Sequence, residues 1–581
     1  MTVKTFAQNA ANIHFEVSFT EPQAHYADVK MEITNLKKDE IIVKMPVWAP
    51  GSYLVREFSK NIESFDVSAK DNSSISFEKV KKNAWKINTK GKNSITVSYR
   101  VYAFEISVRT SFVDASHAFL SPTGIFMFVD GGIADASMVT IIPYKTWSKV
   151  STGLAPIAGG KAFTYYAKNF DWLFDSPIEV GNQDVFEFNA AGVRHEVAMV
   201  GGGNYDKEKL KVDMAKLVEK ESAIFGENPN KHYVFIVHNY QSGSGGLEHQ
   251  NSTVLGAKRM GYDDPKTYKS FMGLVAHEYF HLWNVKRLRP IALGPFDYDI
   301  ENYTTNLWIA EGFTAYYDNL IVSRAGLDNP EGLLGMIEAD INAIYNSQGN
   351  KVQPLSEASF DAWIKYYRPN ENSGNTTVSY YNKGSLIAVM LDLAIIHHSK
   401  GAQSLDDAMR FAYNEYYKKK GRGYTDAEMK AVFEKYSGEN LDQFYNDYIN
   451  GTKQLDMNKY MNYAGLELVD QTRTLDQPYL GVVIESGNKI KNVSRGSSAW
   501  NDGLNVNDEI LAINGERVND VLESVSEAKV NEKLNFMISR DGIIQNIEVT
   551  IKAAPNKSWK IRQMDRPNQQ QKAVLEKWLS L

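Results

Sequence analysis

Residues 275–283 of this chain read VAHEYFHLW, a His-Glu-x-x-His pentapeptide set between apolar residues. Upstream, Asp264 and Pro265 are typical of a helix N-cap and of the first helical position. The segment therefore predicts a helix that is buried around the pentapeptide. Because positions i and i+4 lie about 40° apart around a helix, the imidazoles of His277 and His281 face the same side.

Two imidazoles on one helix face are typical of a divalent metal site. Glu278 follows the first imidazole, where it can take a proton from an attacking water without occupying a ligand position. The chain has no cysteine, so any further ligand must be a histidine or a carboxylate. We therefore expect one catalytic Zn²⁺, with Glu278 as the general acid/base.

The third ligand must come from outside this helix, and two glutamates are candidates. Glu311 lies in the apolar segment LWIAEGFT, residues 307–314, where a buried carboxylate is costly unless it is paired or bound to a metal. Glu301 lies in a polar connector beside Asp297 and Asp299, which is typical of a solvated residue. We therefore prefer Glu311. Two histidines, one glutamate and a water form the open coordination of a catalytic zinc site.

The periodicity of the chain divides it into four regions and predicts a multidomain α+β fold. Residues 12–190 contain short β-branched and aromatic segments between turn signals, which predict a β-sandwich-like domain. Helical periodicity dominates the catalytic region, residues 191–460, with helices expected at 207–225, at about 305–325 and from about 381 to before Gly401. Short strands return over residues 465–555, and a tail with a short helix follows over 556–581.

The pentapeptide and the later segment WIAEGF, residues 308–313, resemble the gluzincins, the thermolysin-like and aminopeptidase branch of zinc peptidases. More narrowly, nearly the whole chain is similar to the PDZ-containing glycyl aminopeptidases, metallopeptidase family sixty-one. This resemblance implies a β-rich N-terminal domain, a mainly α thermolysin-like catalytic domain and a C-terminal PDZ domain.

A tyrosine is implied as the donor to the reaction's oxyanion. The segment SYYNKG, residues 379–384, is similar to the Tyr-x-Lys-Gly segment of gluzincin aminopeptidases, and the match places this role on Tyr381. Tyr380 is the alternative if the register differs by one residue. A phenol that donates to an oxyanion contributes about 2.7–4 kcal/mol to lowering the barrier.

A glycine-rich segment is implied as the binding site for the substrate's amino terminus. Residues 243–250 read GSGGLEHQ and resemble the GxMEN exopeptidase motif, which matches the amine-binding glutamate to Glu248. Gly245 and Gly246 would let an edge strand approach a peptide closely. The segment departs from the motif, with Leu247 for Met and His249 for Asn.

The third folded region resembles a bacterial-type PDZ domain. Its carboxylate-binding loop corresponds to Tyr479, Leu480, Gly481 and Val482. Such a loop receives a peptide's C-terminal carboxylate on backbone N–H groups while the peptide adds a strand. Two alternatives remain open for this module: it binds C-terminal peptides, or it only packs on the catalytic domain.

Bulk composition excludes several other classes. A net charge of −6 and a pI near 6.1 give no basic surface for nucleic acid. The short basic run of residues 286–289, KRLR, indicates a local surface or ion-pair feature. The best apolar run, residues 386–396, is too short to span a membrane and contains Asp392. Residues 1–11 lack an apolar leader core, so we expect a periplasmic or exported protein whose signal peptide was removed, or a cytoplasmic one.

The expected activity is that of a zinc aminopeptidase acting on peptides with a small first residue, Gly or Ala, as the resemblance implies. One alternative is an endopeptidase that uses its PDZ domain to recruit substrates by their C-termini. Another is a non-catalytic PDZ scaffold built on a degenerate peptidase body. The intact set His277, Glu278, His281 and Glu311 favours catalysis.

Overall fold

The computed structural model describes residues 12–473 and 476–580, so the amino-terminal segment 1–11 considered for a leader lies outside it. The chain forms two compact units. The first comprises Met1–Asn302 with Glu415–Gly423, and the second comprises Tyr303–Asn414 with Tyr424–Leu581. Within the described ranges, no helix combines the length and the apolar character that a membrane span requires.

The first unit begins with three β-sheets. The largest has seven strands, in spatial order Ala155–Pro156, Thr164–Ala167, Ser137–Ile142, Ile13–Ser18, Tyr26–Thr34, Ser94–Tyr102 and Ile62–Ala69. A four-stranded sheet runs in the order Phe128–Val129, Glu40–Lys44, Ala84–Asn88 and Phe77–Lys81. A second runs in the order Lys149–Thr152, Ile178–Gly181, Ala118–Leu120 and Phe112–Val113.

Alternating side chains explain why these sheets pack together. In Ile13–Ser18 every second residue is buried, which is the period of a strand with one face on a core. Phe15, Trp85 and Val180, one from each sheet, belong to a single hydrophobic cluster. The predicted N-terminal β domain is therefore confirmed.

A five-stranded sheet follows and carries the helix with the His-Glu-x-x-His pentapeptide. Its spatial order is Asp184–Ala190, Val193–Val200, His232–Tyr240, Ser252–Lys258 and Gly246–Glu248. The three middle strands are parallel, whereas Gly246–Glu248 runs antiparallel along one edge. The helices of this unit are Phe170–Phe174, Lys207–Phe225 and Pro265–Phe280, and the predicted helix 207–225 has the observed bounds.

The second unit is mainly helical. Its longest helix, Tyr380–His398, is buried over most of its length and contacts Gly312–Arg324, Pro330–Asn346 and Met457–Tyr463. Its other helices are Leu307–Ala310, Leu355–Phe360, Ser373–Thr376, Leu405–Ala412, Asp426–Ser437, Asp442–Phe444, Ser498–Asp502, Val521–Ser526 and Gln569–Leu579. A π-helical segment, Tyr445–Ile449, lies in this unit, and a second, Tyr413–Lys419, begins in it and continues into the segment Glu415–Gly423 of the first unit.

The same unit ends in a small β domain with its own apolar core, which includes Leu480, Phe536 and Val549. Its sheet runs Val482–Glu485, Lys489–Val493, Glu509–Ile513, Lys533–Arg540 and Ile543–Thr550, with Glu516–Arg517 paired to Glu509–Ile513. Two further strand pairs flank it, Leu466–Asp470 with Trp559–Gln563 and Pro478–Tyr479 with Lys552–Ala553. The predicted multidomain α+β class is confirmed.

Candidate active site

The helix Pro265–Phe280 presents the pentapeptide as the sequence predicts. The Asp264 side chain accepts a hydrogen bond from the Thr267 backbone N–H at 2.8 Å, which caps the first turn. His281 is the C-cap residue and keeps right-handed helical geometry. The imidazole centroids of His277 and His281 consequently lie only 4.8 Å apart.

The tautomer of His281 is fixed by the chain that follows it. Its Nδ1 lies 2.9 Å from the carbonyl oxygen of Asn284, and a carbonyl can only accept a hydrogen bond. Nδ1 therefore carries the proton, and Nε2 keeps its lone pair. A histidine prepared as a metal ligand has this arrangement, because the outer hydrogen bond sets both ring orientation and tautomer.

The predicted glycine-rich segment forms the edge of the five-stranded sheet directly beside Glu278. Gly246 pairs with Leu255, and Glu248 pairs with Thr253. A Cβ on Gly246 would lie 2.2 Å from Oε1 of Glu278, so only glycine fits there. Gly245 has a φ of +80°, which is also a glycine conformation. Both glycines are therefore required by the geometry of the edge.

Three of the predicted residues converge in the first unit. Glu248, Glu278 and His281 are all buried, and each offers one ligand atom that lies within 4.8 Å of the other two. Buried carboxylates are stable only when they are paired, hydrogen-bonded or bound to a cation. The cluster can therefore hold a positive charge beside a general base.

Glu311 lies in the second unit, at a break in the predicted helix. One helix was expected over residues 305–325, and the structure instead has Leu307–Ala310 and Gly312–Arg324 with Glu311 between them. The hydrogen bonds from Glu311 N–H to Leu307 O and from Ala315 N–H to Glu311 O continue through the break. The single-helix prediction is thus wrong at Glu311, and the observed helices begin at Leu307 and end at Arg324. The side chain of Glu311 is buried.

Two glycines bring the segment around Glu311 against the helix that carries Tyr381. A Cβ on Gly312 would lie 2.5 Å from the Cα of Gly384, so the two backbones are in direct contact. Burial, followed by the nearby charge of Glu311, raises the pKa of Tyr381 well above its usual value. Its phenol therefore stays protonated and able to donate.

The two candidate tyrosines differ in exposure. Tyr380 is fully buried, whereas Tyr381 is only partly buried, and their rings stack at 4.9 Å. Of these two tyrosines, only Tyr381 has a solvent-exposed surface that a substrate could contact. Glu301, the alternative third ligand, is partly exposed in the first unit and lies outside the helices and strands.

Sequence reasoning missed the groups that surround Glu248. Lys286, part of the basic run predicted to be a surface or ion-pair feature, is buried and pairs with Asp175 at 2.8 Å. Gly51, with a φ of +84°, lies so close to Glu248 that a Cβ there would be 2.5 Å from Oε1. In the sequence, only the basic run of residues 286–289 indicated these groups, and it did not identify Asp175 as the partner of Lys286.

The predicted PDZ loop lies before an edge strand. Gly481 has a φ of +79°, and Val482 begins the strand Val482–Glu485 at the end of its sheet. The domain also packs within its own unit, because the side-chain amide of Asn375 donates to the carbonyl of Val493 at 2.8 Å. Packing uses the neighbouring strand Lys489–Val493 and leaves Val483 about half exposed.

Comparison with known families agrees with this domain order. The Peptidase M61 N-terminal domain matches residues 14–182, the M61 glycyl aminopeptidase domain matches residues 270–387, and the PDZ domain matches residues 463–536. No curated protein sequence matches the chain.

Solved structures give a relative that is similar over the full length. An aminopeptidase N family protein from Idiomarina loihiensis is 28% identical with a TM-score of 0.89, over 98% of this chain and 100% of that one. An M1 zinc metallopeptidase from Deinococcus radiodurans is more distant, at 12% identity and a TM-score of 0.47, over 77% of this chain and 94% of that one. The domain matches and the full-length structural relative lead to one conclusion: the chain is a metallo-aminopeptidase whose N-terminal and catalytic regions match domains of the M61 glycyl aminopeptidase family.

Proposed function

We propose that this chain is a zinc-dependent aminopeptidase that removes small amino-terminal residues, glycine or alanine, from peptides. The observation that carries the proposal is the convergence of Glu248, Glu278 and His281 at a glycine-lined sheet edge. In this proposal, Glu248 provides the anion for the substrate's ammonium, Glu278 is the general base and His281 is a metal ligand. An endopeptidase has no need of such an anion.

The zinc ligands in this proposal are His277, His281 and Glu311. Two imidazoles and a carboxylate suit Zn²⁺ and leave a coordination position open, and the Asn284 hydrogen bond prepares Nε2 of His281 for this role. A bound Zn²⁺ supplies Lewis acidity toward the scissile carbonyl and lowers the pKa of water.

The protein's own groups carry the remaining steps. Glu278 takes a proton from the attacking water and passes it to the leaving amine. Tyr381 donates its O–H to the developing oxyanion. Glu248 accepts the ammonium of the first residue, and the edge at Gly245 and Gly246 pairs with the substrate backbone.

The preference for small first residues is supported by the family and by Gly51. The Cα of Gly51 lies against the carboxylate that would bind the ammonium, since a Cβ there would come within 2.5 Å of Glu248 Oε1. We infer that this close approach limits the space beside the ammonium of a substrate anchored on Glu248.

Hydrolysis of Gly-, Ala- and Leu-anilides, each with and without a chelator, tests the activity and its specificity. We expect turnover of the first two, weak turnover of the third, and loss of all activity when the metal is removed. N-acetylation should stop hydrolysis because it removes the ammonium. Cleavage of N-acetylated peptides would instead establish the endopeptidase alternative.

Zinc content of purified variants tests the ligand set. Glu311→Ala should lose the metal, because two imidazoles alone form a weak site. Glu248→Ala is the matched control, since it removes another buried glutamate and should retain zinc. The reverse result would assign the metal to Glu248, Glu278 and His281, the other cluster that could hold it.

Conservative changes at the two tyrosines test the oxyanion role. Tyr381→Phe should lower kcat by about 10²–10³-fold, because one donor to the oxyanion is lost. Tyr380→Phe, whose phenol is fully buried, is the control and should leave kcat near the wild-type value. Equal effects at both positions would contradict the assignment.

We also propose that the PDZ domain binds C-terminal peptides. The support is an edge strand with exposed Val483 next to Gly481 in a left-handed conformation. Backbone N–H groups around such a glycine can receive a carboxylate. Binding of a fluorescent peptide with a free C-terminus, compared with its C-terminal amide, tests this role, and equal affinity for the two would exclude it.

A further inference from the structure

Four charged or titratable side chains meet in the interior next to the proposed amine site. They are Asp175, Glu248, His249 and Lys286, each less than 10% exposed. The peptidase chemistry uses only Glu248. A buried ammonium and two buried carboxylates are retained at a cost, because desolvation of each ion opposes folding.

The ammonium of Lys286 is shared unequally between the two carboxylates. Its Nζ lies 2.8 Å from Oδ1 of Asp175 and 3.9 Å from Oε1 of Glu248. The shorter distance is a hydrogen-bonded ion pair, whereas the longer one is beyond hydrogen-bond range. Lys286 therefore belongs chiefly to Asp175.

Asp175 is held in place by two further donors. The backbone N–H of Gln250 donates to its Oδ2 at 2.8 Å, and Nδ1 of His249 lies 3.0 Å from its Oδ1. Burial by itself would raise the pKa of Asp175, but Lys286 and then His249 outweigh it and lower the pKa to about 2. The carboxylate is thus a permanent anion at neutral pH.

Of the two carboxylates that share Lys286, Glu248 is the less neutralised, because it is the more distant from the ammonium. The two carboxylates and one ammonium give one negative charge in excess, and the excess lies on Glu248 because Asp175 is paired. A substrate ammonium would complete the balance. His249, where the exopeptidase motif has Asn, contributes by holding Asp175.

We propose that Asp175 is a positioning residue that keeps Lys286 away from Glu248, so that Glu248 stays available to the ammonium of the substrate. This inference rests on the proposed function. Without Asp175, the nearest carboxylate to the buried Lys286 is Glu248. The flexible lysine side chain then needs to move only about 1 Å to reach hydrogen-bond distance of that carboxylate, and an unpaired buried charge strongly favours this move.

Two small hydroxamates isolate the contribution of the amine. Glycine hydroxamate has a free α-amine, and acetohydroxamate lacks it, while both present the same metal-chelating group. The ratio of their inhibition constants measures what the ammonium adds. We expect wild-type enzyme to favour glycine hydroxamate by about tenfold or more, the contribution of a charged hydrogen bond.

In Asp175→Asn the ratio should fall toward one, because Lys286 takes Glu248. In the double variant Asp175→Asn/Lys286→Met the ratio should recover to within about threefold of wild type, since the competing cation is gone. A merely structural role for Asp175 would weaken both hydroxamates equally and would not be rescued by the second substitution.

The matched control is Asp508→Asn in the PDZ domain. Asp508 is a buried carboxylate paired with Arg540 at 2.8 Å, so its loss has a comparable structural cost without touching Glu248. Its hydroxamate ratio should equal that of wild type.

The outcomes separate this inference from the function on which it rests. A large wild-type ratio that is unchanged in Asp175→Asn overturns the inference and leaves the aminopeptidase proposal intact. A wild-type ratio near one overturns the amine anchor itself and the inference with it. If Asp175→Asn does not fold, the double variant decides: a high ratio supports the inference, and a ratio near one overturns it.

Discussion

Two strands in this chain lie at the edges of their sheets and have opposite surroundings. Gly246–Glu248 ends the five-stranded sheet of the first unit and is entirely buried. Val482–Glu485 ends the sheet of the PDZ domain, and two of its four residues are exposed. Each lies at the end of its sheet, the position at which an extended peptide can add as a further strand.

The neighbours of each edge determine which end of a peptide it suits. Two carboxylates lie at the first edge, with Glu248 on the strand and Glu278 against Gly246, and the Arg109 guanidinium donates to the Gly246 carbonyl at 3.1 Å. Before the second edge, Gly481 adopts a left-handed conformation, and backbone N–H groups around such a residue can converge on an anion. The first edge therefore suits an ammonium and the second a carboxylate. Both edges could bind a peptide as an added strand, and the charges of the neighbouring groups would determine which end of the peptide each edge prefers.

The largest expected effect tests whether the first edge is catalytic. Glu278→Gln should lower kcat by about 10²–10⁴-fold, because an amide cannot accept the proton of the attacking water. Zinc should remain bound, since the substitution keeps the shape of the side chain. Metal analysis and anilide kinetics check both, and retained turnover would falsify the proposed mechanism.

A matched pair of glycine substitutions compares the two edges directly. Gly246→Ala should lower anilide turnover by roughly 10²-fold, because its Cβ would overlap Glu278 and displace the general base. The affinity of the PDZ domain for C-terminal peptides should not change. Steady-state kinetics and peptide titration on the same preparation separate the two effects.

Gly481→Ala is the other member of the pair. Its Cβ would come within 2.1 Å of the Ser497 Cβ, and its φ of +79° disfavours alanine. We expect C-terminal peptide affinity to fall by about tenfold or more, with anilide turnover unchanged. Loss of turnover in this variant would show that the two edges are not functionally separate.

The smallest effect concerns the exposed side chain of the second edge. Val483→Asp places a negative charge on the strand that would pair with an incoming peptide. The apolar contact between residue 483 and the peptide would be lost. We expect a loss of affinity of about threefold to tenfold, measured by fluorescence polarisation. An unchanged affinity would indicate that peptides bind elsewhere on the domain.

Local sequence patterns were sufficient to predict many of the helices and strands of this protein. The helix that carries His277 and His281 follows from apolar flanks and an N-cap, because helix start signals act within one turn. The strands of the N-terminal domain follow from short β-branched and aromatic segments between turn signals. The helix broken at Glu311 did not follow, because apolar periodicity continues across that position.

The surroundings of Glu248 could not be predicted from local sequence patterns. Asp175 and Lys286 are 111 residues apart in sequence, and their pairing at 2.8 Å depends on how the sheet and its loops fold together. Gly51 lies in a turn that has no sequence relation to the GSGGLEHQ stretch. None of these residues lies in a motif, so sequence spacing could not connect them.

By itself, the sequence determined the chemistry of this protein: two imidazoles one helical turn apart, an adjacent glutamate, no thiolate, and glycines where a strand must be approached closely. These choices are local and are fixed by residue type and spacing. Only the tertiary structure decided which charges meet in the interior, because burial brings distant ions together and removes the water that would otherwise screen them. The availability of Glu248 to a substrate is such a property, since it depends on Asp175 holding the ammonium of Lys286.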